Sequence, residues 1–285
     1  MSRRIAFLAL VTLLAGGCVP AARPIPAPTP AFPPSEQVKA LALPLDAYSP
    51  SLAELYTSAN ARDRLTRDCL KAAGLDWKVI ARPTSVGDYR NRRRYGVIER
   101  PVARDFGYHV PVGLLTPAIV DELNNARDNS LSPRQRDAAY GPDGCAAQAA
   151  RQLPADPGPA AAQLARIDHA SLTDSQRAPR VAAAMASWRN CMARRGLHYG
   201  NPFAAVSDRR WWATESAGPS PAEKSVAVAD VDCKEQSKLV DEWHAAEVGL
   251  QHDLIQRNAA TLERVKAGLD SERARASAVL ATELS

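Results

Sequence analysis

The sequence predicts an all-α fold: two disulfide-stapled helical repeat units with a long C-terminal helix. Three observations carry that expectation. Alternating β-branched runs are absent while alanine is abundant, four cysteines occupy matching places in two similar stretches, and no proline follows Pro221.

The chain opens with Arg3 and Arg4, then an apolar run from Ile5 to Ala15 broken only by Thr12. A run of that length suits a signal peptide and is too short to cross a bilayer. Gly16, Gly17 and Cys18 follow, with Leu14 just upstream, and the segment resembles the lipobox of bacterial lipoproteins. The departure is Ala15, three places before the cysteine, where Leu is usual. The resemblance implies cleavage of residues 1–17, a diacylglycerol on the Cys18 thiol and often an acyl chain on the new amine. Two or three chains hold a protein stably where one does not. Ser2-Arg3-Arg4 is also similar to a twin-arginine export signal, although Phe7 sits one place late for it, so the export route stays open.

Residues 18–45 read as a lipidated, proline-rich tether, because seven prolines fall among the sixteen residues from Val19 to Pro34. Proline fixes φ and removes a donor, so such a segment stays extended and builds no core.

The folded part reads as a first unit over residues 46–153, a linker over 154–162 and a second unit over 163–240. Cys69 is followed by Gly74, Leu75 and Trp77, and Cys191 by Gly196, Leu197 and Tyr199 at the same offsets. Each pattern is a helix that ends at a glycine, with the next apolar residue packing back on the last turn. Pro133 and Pro221 each stand twelve residues before a second cysteine, Cys145 or Cys233, and behind a serine, Ser132 or Ser220. Gln135 and Glu223 follow at one offset. Serine at the cap, proline at the first position and Gln or Glu next form a capping-box signature. Duplication explains both matches.

With Cys18 lipidated, four cysteines remain, an even set that reads as two disulfides in an oxidising compartment. Spacings of 76, 46 and 42 residues do not suit a four-cysteine metal site. Three pairings are open on sequence alone, and symmetry between the units favours Cys69–Cys145 with Cys191–Cys233. The first unit carries 34 more residues between its cysteines than the second, since 76 exceeds 42 by that number.

From Ser220 towards Leu284, helix formers dominate and only Gly249 and Gly268 interrupt. One helix of some sixty residues, or two joined near Gly249, is expected, with residues 241–285 projecting or packed against a partner helix.

Without residues 1–17 the chain has 34 basic against 31 acidic residues. That balance is too even to argue for nucleic acid. No phosphate-cradling loop, zinc-protease helix or nucleophile elbow is present, so no catalytic residue, metal ligand or cofactor is assigned. Asp241, His244, Glu247 and His252 share a helix, where solvated charges account for them as well as a metal would. Candidate binding residues lie in the loops between the halves of each unit: Arg94, Tyr95, Tyr108 and His109 in the first, Arg209, Arg210, Trp211 and Trp212 in the second. Arginine beside aromatics can stack on sugars or peptides; equally, these aromatics can plug a small helical core.

Together the lipobox, the paired helix ends and caps, the long tail, Arg94-Tyr95-Gly96 and Gly107-Tyr108-His109 resemble a group of secreted lipoproteins of high-GC actinobacteria. That group supplies a fold and an anchor and no reaction. The expectation is a lipid-anchored protein on the extracytoplasmic face of the cell membrane. It is expected to act without catalysis as a binding or accessory protein of the envelope, with a protein partner on its C-terminal helix. Binding of wall polymer or a small ligand through the Arg and aromatic loops is the second expectation, and an envelope hydrolase the third.

Overall fold

The computed structural model describes residues 32–154, 158–213 and 218–282. Cys18, the expected leader and most of the proline-rich stretch lie outside the described residues, as do positions 155–157 of the expected linker. The fold is all-α: thirteen α-helices and three short 3-10 turns make up the regular structure among the described residues, with no strand. In chain order the helices are α1 (Glu36–Lys39), α2 (Leu52–Ala72), α3 (Arg100–Phe106), α4 (Ala118–Ser130), α5 (Pro133–Tyr140) and α6 (Cys145–Gln152). Then come α7 (Gly158–Asp174), α8 (Pro179–Ala193), α9 (Pro202–Val206), α10 (Arg209–Trp212), α11 (Pro221–Ser237), α12 (Leu239–Arg257) and α13 (Ala259–Ala281).

The two cysteine-bearing stretches end their first helices alike. Gly74 and Gly196 take φ of +70° and +76°, which lets Leu75 N donate to Leu70 O at 2.9 Å and Leu197 N to Met192 O at 3.1 Å. Ser132 and Ser220 cap α5 and α11 by accepting from Gln135 N and Glu223 N. Disulfides join Cys69 to Cys145 and Cys191 to Cys233, with Cα atoms 5.7 and 5.6 Å apart. Gln148 and Gln236, each three residues beyond the second cysteine, set a side-chain oxygen beside Cys69 Sγ and Cys191 Sγ.

The stretches differ in two respects that sequence matching hid. The capped helix of the first unit stops at Tyr140, where Gly141 and Pro142 break it, and Cys145 opens a new helix; α11 runs on through Cys233. The Glu223 carboxylate also leaves its expected place over the cap and turns into the core.

Three expected boundaries need correction. Residues 35–45 are folded, not tether: Val38 and Leu41 join the main core and Leu43 and Leu45 are buried. Leu45 N donates to Gln251 Oε1 at 2.9 Å and Asn91 Nδ2 to Leu41 O at 2.9 Å. Proline is dense only as far as Pro34, and the Leu41, Leu43, Leu45 alternation that follows has apolar surface to bury.

The two units are also not separate bodies. Tyr95, Val97, Val102 and Tyr108, from the insertion in the first unit, share one core with Trp188, Met192, Val226, Cys233 and Trp243. Finally, the C-terminal region is neither one helix nor broken at Gly249, which lies inside α12. The breaks are Lys238, held at φ +53°, and Asn258, at φ −115°. A left-handed lysine costs about 1 kcal/mol, which packing on both sides offsets. The last helix does not project either. It runs back along α2, where Ala61 and Ala276 are both fully buried and Arg62 pairs with Glu272 at 3.1 Å.

Candidate functional site

A cleft of about 850 Å³ opens between α7, α13, the start of α2 and the 3-10 turn Pro44–Tyr48. Small side chains make room for it. Ala160, Ala161 and Ala165 form one wall on α7, and Gly268 leaves a gap in the opposite wall on α13. A Cβ built at Gly268 meets nothing within 4 Å, so packing does not require glycine there. The floor is apolar: Leu45, Leu164 and Val265 belong to one buried cluster, with Tyr48 and Leu269 packed against it. A concave, largely apolar space of this size is typical of small-molecule sites.

The polar lining is uneven in charge. Five arginines (Arg62, Arg90, Arg94, Arg264, Arg275) face three carboxylates (Asp46, Asp168, Glu272). Arg62 is paired with Glu272, Arg90 with Asp88, and Arg94 with Asp168 and Glu247. Arg264 donates to Thr261 Oγ1 at 3.0 Å and Arg275 to Ser271 Oγ at 2.9 Å. Neither forms an ion pair among the described residues. Asp46 is drawn inward, accepting from Leu43 N at 2.8 Å and Asn91 Nδ2 at 2.7 Å, and burial raises its pKa above the usual carboxylate value. The cleft therefore joins an apolar floor to an arginine rim in which Arg264 and Arg275 have no carboxylate partner among the described residues.

Beneath the cleft, Arg94 anchors a buried polar knot. Glu247, with no exposed surface, accepts from Arg94, from Tyr95 Oη at 2.8 Å and from Ser171 Oγ at 2.8 Å. Burial, then the Glu247 charge, drives the Tyr95 hydroxyl far above its usual pKa of 10.0. Of the candidate loop residues only Arg94 reaches the cleft, and its charge is already met. Tyr95 belongs to the core. The helix positions weighed for metal point different ways: Asp241 meets Gln37, His244 meets Ala42 O, and Glu247 turns inward.

The remaining candidates come together elsewhere. Tyr108 packs near Trp211 with ring centroids 6.4 Å apart, His109 stacks on Trp212 at 4.5 Å, and the Arg210 guanidinium lies over Trp211 at 4.7 Å. Tyr108 and Trp211 are 1% and 6% exposed, so they plug the core and present no stacking platform. Arg209, Arg210 and Trp212 are exposed, and of these Arg210 is already tied to Asp208 and Tyr199. Beside them Glu223 Oε1 accepts from Tyr108 N at 2.7 Å and lies 2.9 Å from His109 Nδ1. Four buried side-chain atoms without a hydrogen-bond partner gather in this region: Arg93 Nη1, Tyr108 Oη, His109 Nε2 and Glu223 Oε2. No nucleophile is hydrogen-bonded to His109 among the described residues.

Sequence reasoning missed the cleft. A signal existed in the spacing of Arg264, Gly268, Ser271 and Arg275, which fall four, three and four apart and so share one face of a helix. No protein-family model, curated protein or solved structure matches this chain.

Proposed function

We propose that this chain is a lipid-anchored protein of the extracytoplasmic face that binds, without chemical change, a small amphipathic molecule with an acidic head group. The observation that carries the reading is the cleft, whose apolar floor suits a hydrocarbon body and whose Arg264 and Arg275 have no carboxylate partner. Guanidinium is the group best matched to carboxylate or phosphate, because its planar donors engage two oxygens at once. A protein held at a membrane by Cys18 is well placed to take up such a molecule.

Two features count against the rival readings. The aromatic side chains proposed to stack on wall polymer are mostly core residues, and the C-terminal apolar stripe is spent on α2 and α7 of the same chain.

Laurate and dodecyltrimethylammonium, matched in tail and opposite in charge, test the reading by calorimetric titration of the purified protein. Laurate is expected to bind at least about ten-fold more tightly, and the R264E/R275E variant to lose that preference. Equal binding of both tails, or of neither, overturns the proposal.

A further inference from the structure

Val110 to Val120 is a run of eleven residues without a charged side chain, and much of it is exposed. Val110, Val112, Leu115 and Ile119 show 54%, 76%, 37% and 42% of their surface. They are four of the seven exposed large hydrophobics among the described residues, a concentration that scatter does not produce.

The run is held in a defined shape. Leu114 N donates to Pro111 O at 3.1 Å and Gly113 takes φ +87°, as the third position of a type II turn requires. Val112 stands at its tip. Leu114 is buried and pins the base of the turn, and its carbonyl accepts from Arg92 Nη1 at 3.0 Å. That same nitrogen donates to Phe32 O at 2.9 Å. Phe32, whose ring meets Phe106 edge-on at 5.2 Å, lies only fourteen residues beyond Cys18. One guanidinium thus clasps both the base of the apolar turn and the place where the chain arrives from its anchor.

Trp212 adds to this surface. Its ring is 40% exposed and stacks on His109, the neighbour of Val110. Arg209, on the same short helix, is exposed with no acidic partner among the described residues. Apolar tips, a half-exposed tryptophan and a free arginine are the groups that settle at the boundary between acyl chains and anionic head groups.

We propose that the Pro111–Leu114 turn, with Trp212, is a second membrane contact that dips into the leaflet holding the Cys18 lipid. Its location rests on the lipid-anchor reading. The fourteen steps from Cys18 to Phe32 reach at most about 50 Å when fully extended, so the anchor keeps the turn at high local concentration near the bilayer and a weak patch suffices. The contact also orients the body on the membrane, which a lipid on a tether does not.

The test places a fluorophore at the turn. Four cysteines are in disulfides, so V112C supplies the single reactive thiol when Cys18 is acylated, and C18S/V112C supplies it when Cys18 is not. In vesicles of phosphatidylglycerol and phosphatidylethanolamine, an environment-sensitive dye at position 112 is expected to shift to the blue. Acyl chains carrying bromine are expected to quench it. The unacylated C18S protein is expected to float with the same vesicles, about ten-fold less when V112D and L115D are added at unchanged Tm. A dye that stays in water on the anchored protein overturns the proposal. So does a dimer that these aspartates dissolve, since a second copy then covers the face. The mass of the N-terminal peptide reports the anchor separately: a chain without acyl groups whose dye still shifts keeps the turn and loses the anchor.

Discussion

The hydroxyl of Tyr95 donates to the carboxylate of Glu247 at 2.8 Å across 152 positions of sequence, in a place where neither side chain keeps more than 1% of its surface. The pair ties the insertion of the first unit to α12 directly beneath the cleft. Removing the acceptor strands the Tyr95 hydroxyl and leaves Arg94 and Ser171 with Asp168 alone. E247A is expected to cost about 3–5 kcal/mol, because it leaves a guanidinium half-buried without its closest charge. E247Q keeps an acceptor and should cost about half as much. Thermal unfolding followed at 222 nm checks both, with a drop of roughly 10 °C expected for E247A.

Alkaline pH should weaken the fold with a slope set by two buried phenols. Burial holds the pKa of both Tyr95 and Tyr108 far above 10.0, helped by Glu247 at the first and Asp230 at the second. A pKa raised on folding means that the unfolded chain loses its proton first, so the contribution is complete below pH 10 and declines as pH climbs. Each phenol then removes up to about 1.4 kcal/mol of stability per pH unit. Urea unfolding at pH 9, 10 and 11 should show this decline, reduced in Y95F and in Y108F. The two variants should differ at neutral pH. Y95F loses a buried hydrogen bond and is expected to cost about 1–2 kcal/mol, whereas Y108F should cost less, because the Tyr108 hydroxyl has no partner at hydrogen-bond geometry among the described residues.

The disulfides should open in order under mild reductant. Cys69 is half-buried, while Cys191 and Cys233 are both buried in the main core. Thiol exchange needs access to a sulfur, so Cys69–Cys145 should reduce first. Differential alkylation followed by peptide mass analysis reads the order. Each bridge closes a long loop, of 76 and 42 residues, and its loss is expected to cost about 4 kcal/mol in the chain-entropy description.

Filling the cleft should separate binding from stability. Gly268 sits within α13 at ordinary helical φ, and open space surrounds its Cα. G268F should therefore leave Tm unchanged or higher, since glycine is the poorer helix former by up to about 1 kcal/mol. Laurate binding should fall by more than about ten-fold. A variant that still binds laurate like the parent would place the ligand outside the cleft.

What could be read from the chain follows the range of the physics involved. Helix ends at Gly74 and Gly196, the serine caps and the cysteine pairing are local or symmetric, and all were legible. The left-handed break at Lys238 was not, because Ser237-Lys238-Leu239 carries neither glycine nor proline and is bent by the packing on either side. The inward turn of Glu223 was hidden for a related reason: at a cap the residue has a good local use, and only the arrival of Tyr108 and His109 from over a hundred positions away offers a better one. The burial of Tyr95, Tyr108 and Trp211 and the opening of the cleft both depend on which helices meet, and no local pattern records that.

The pairing of α2 with α13 has a bearing on how the protein comes into being. Synthesis delivers α2 well before α13, so Ala61 and Leu65 wait for Ala276 and Leu280 until all the helices between them have emerged. Through that interval the first half displays an unfinished surface, which is a period of exposure to proteases and to other nascent chains. A product cut short before α13 lacks a wall of the cleft and a cover for α2 at once. Arrival of α13 and completion of the cleft are therefore a single event.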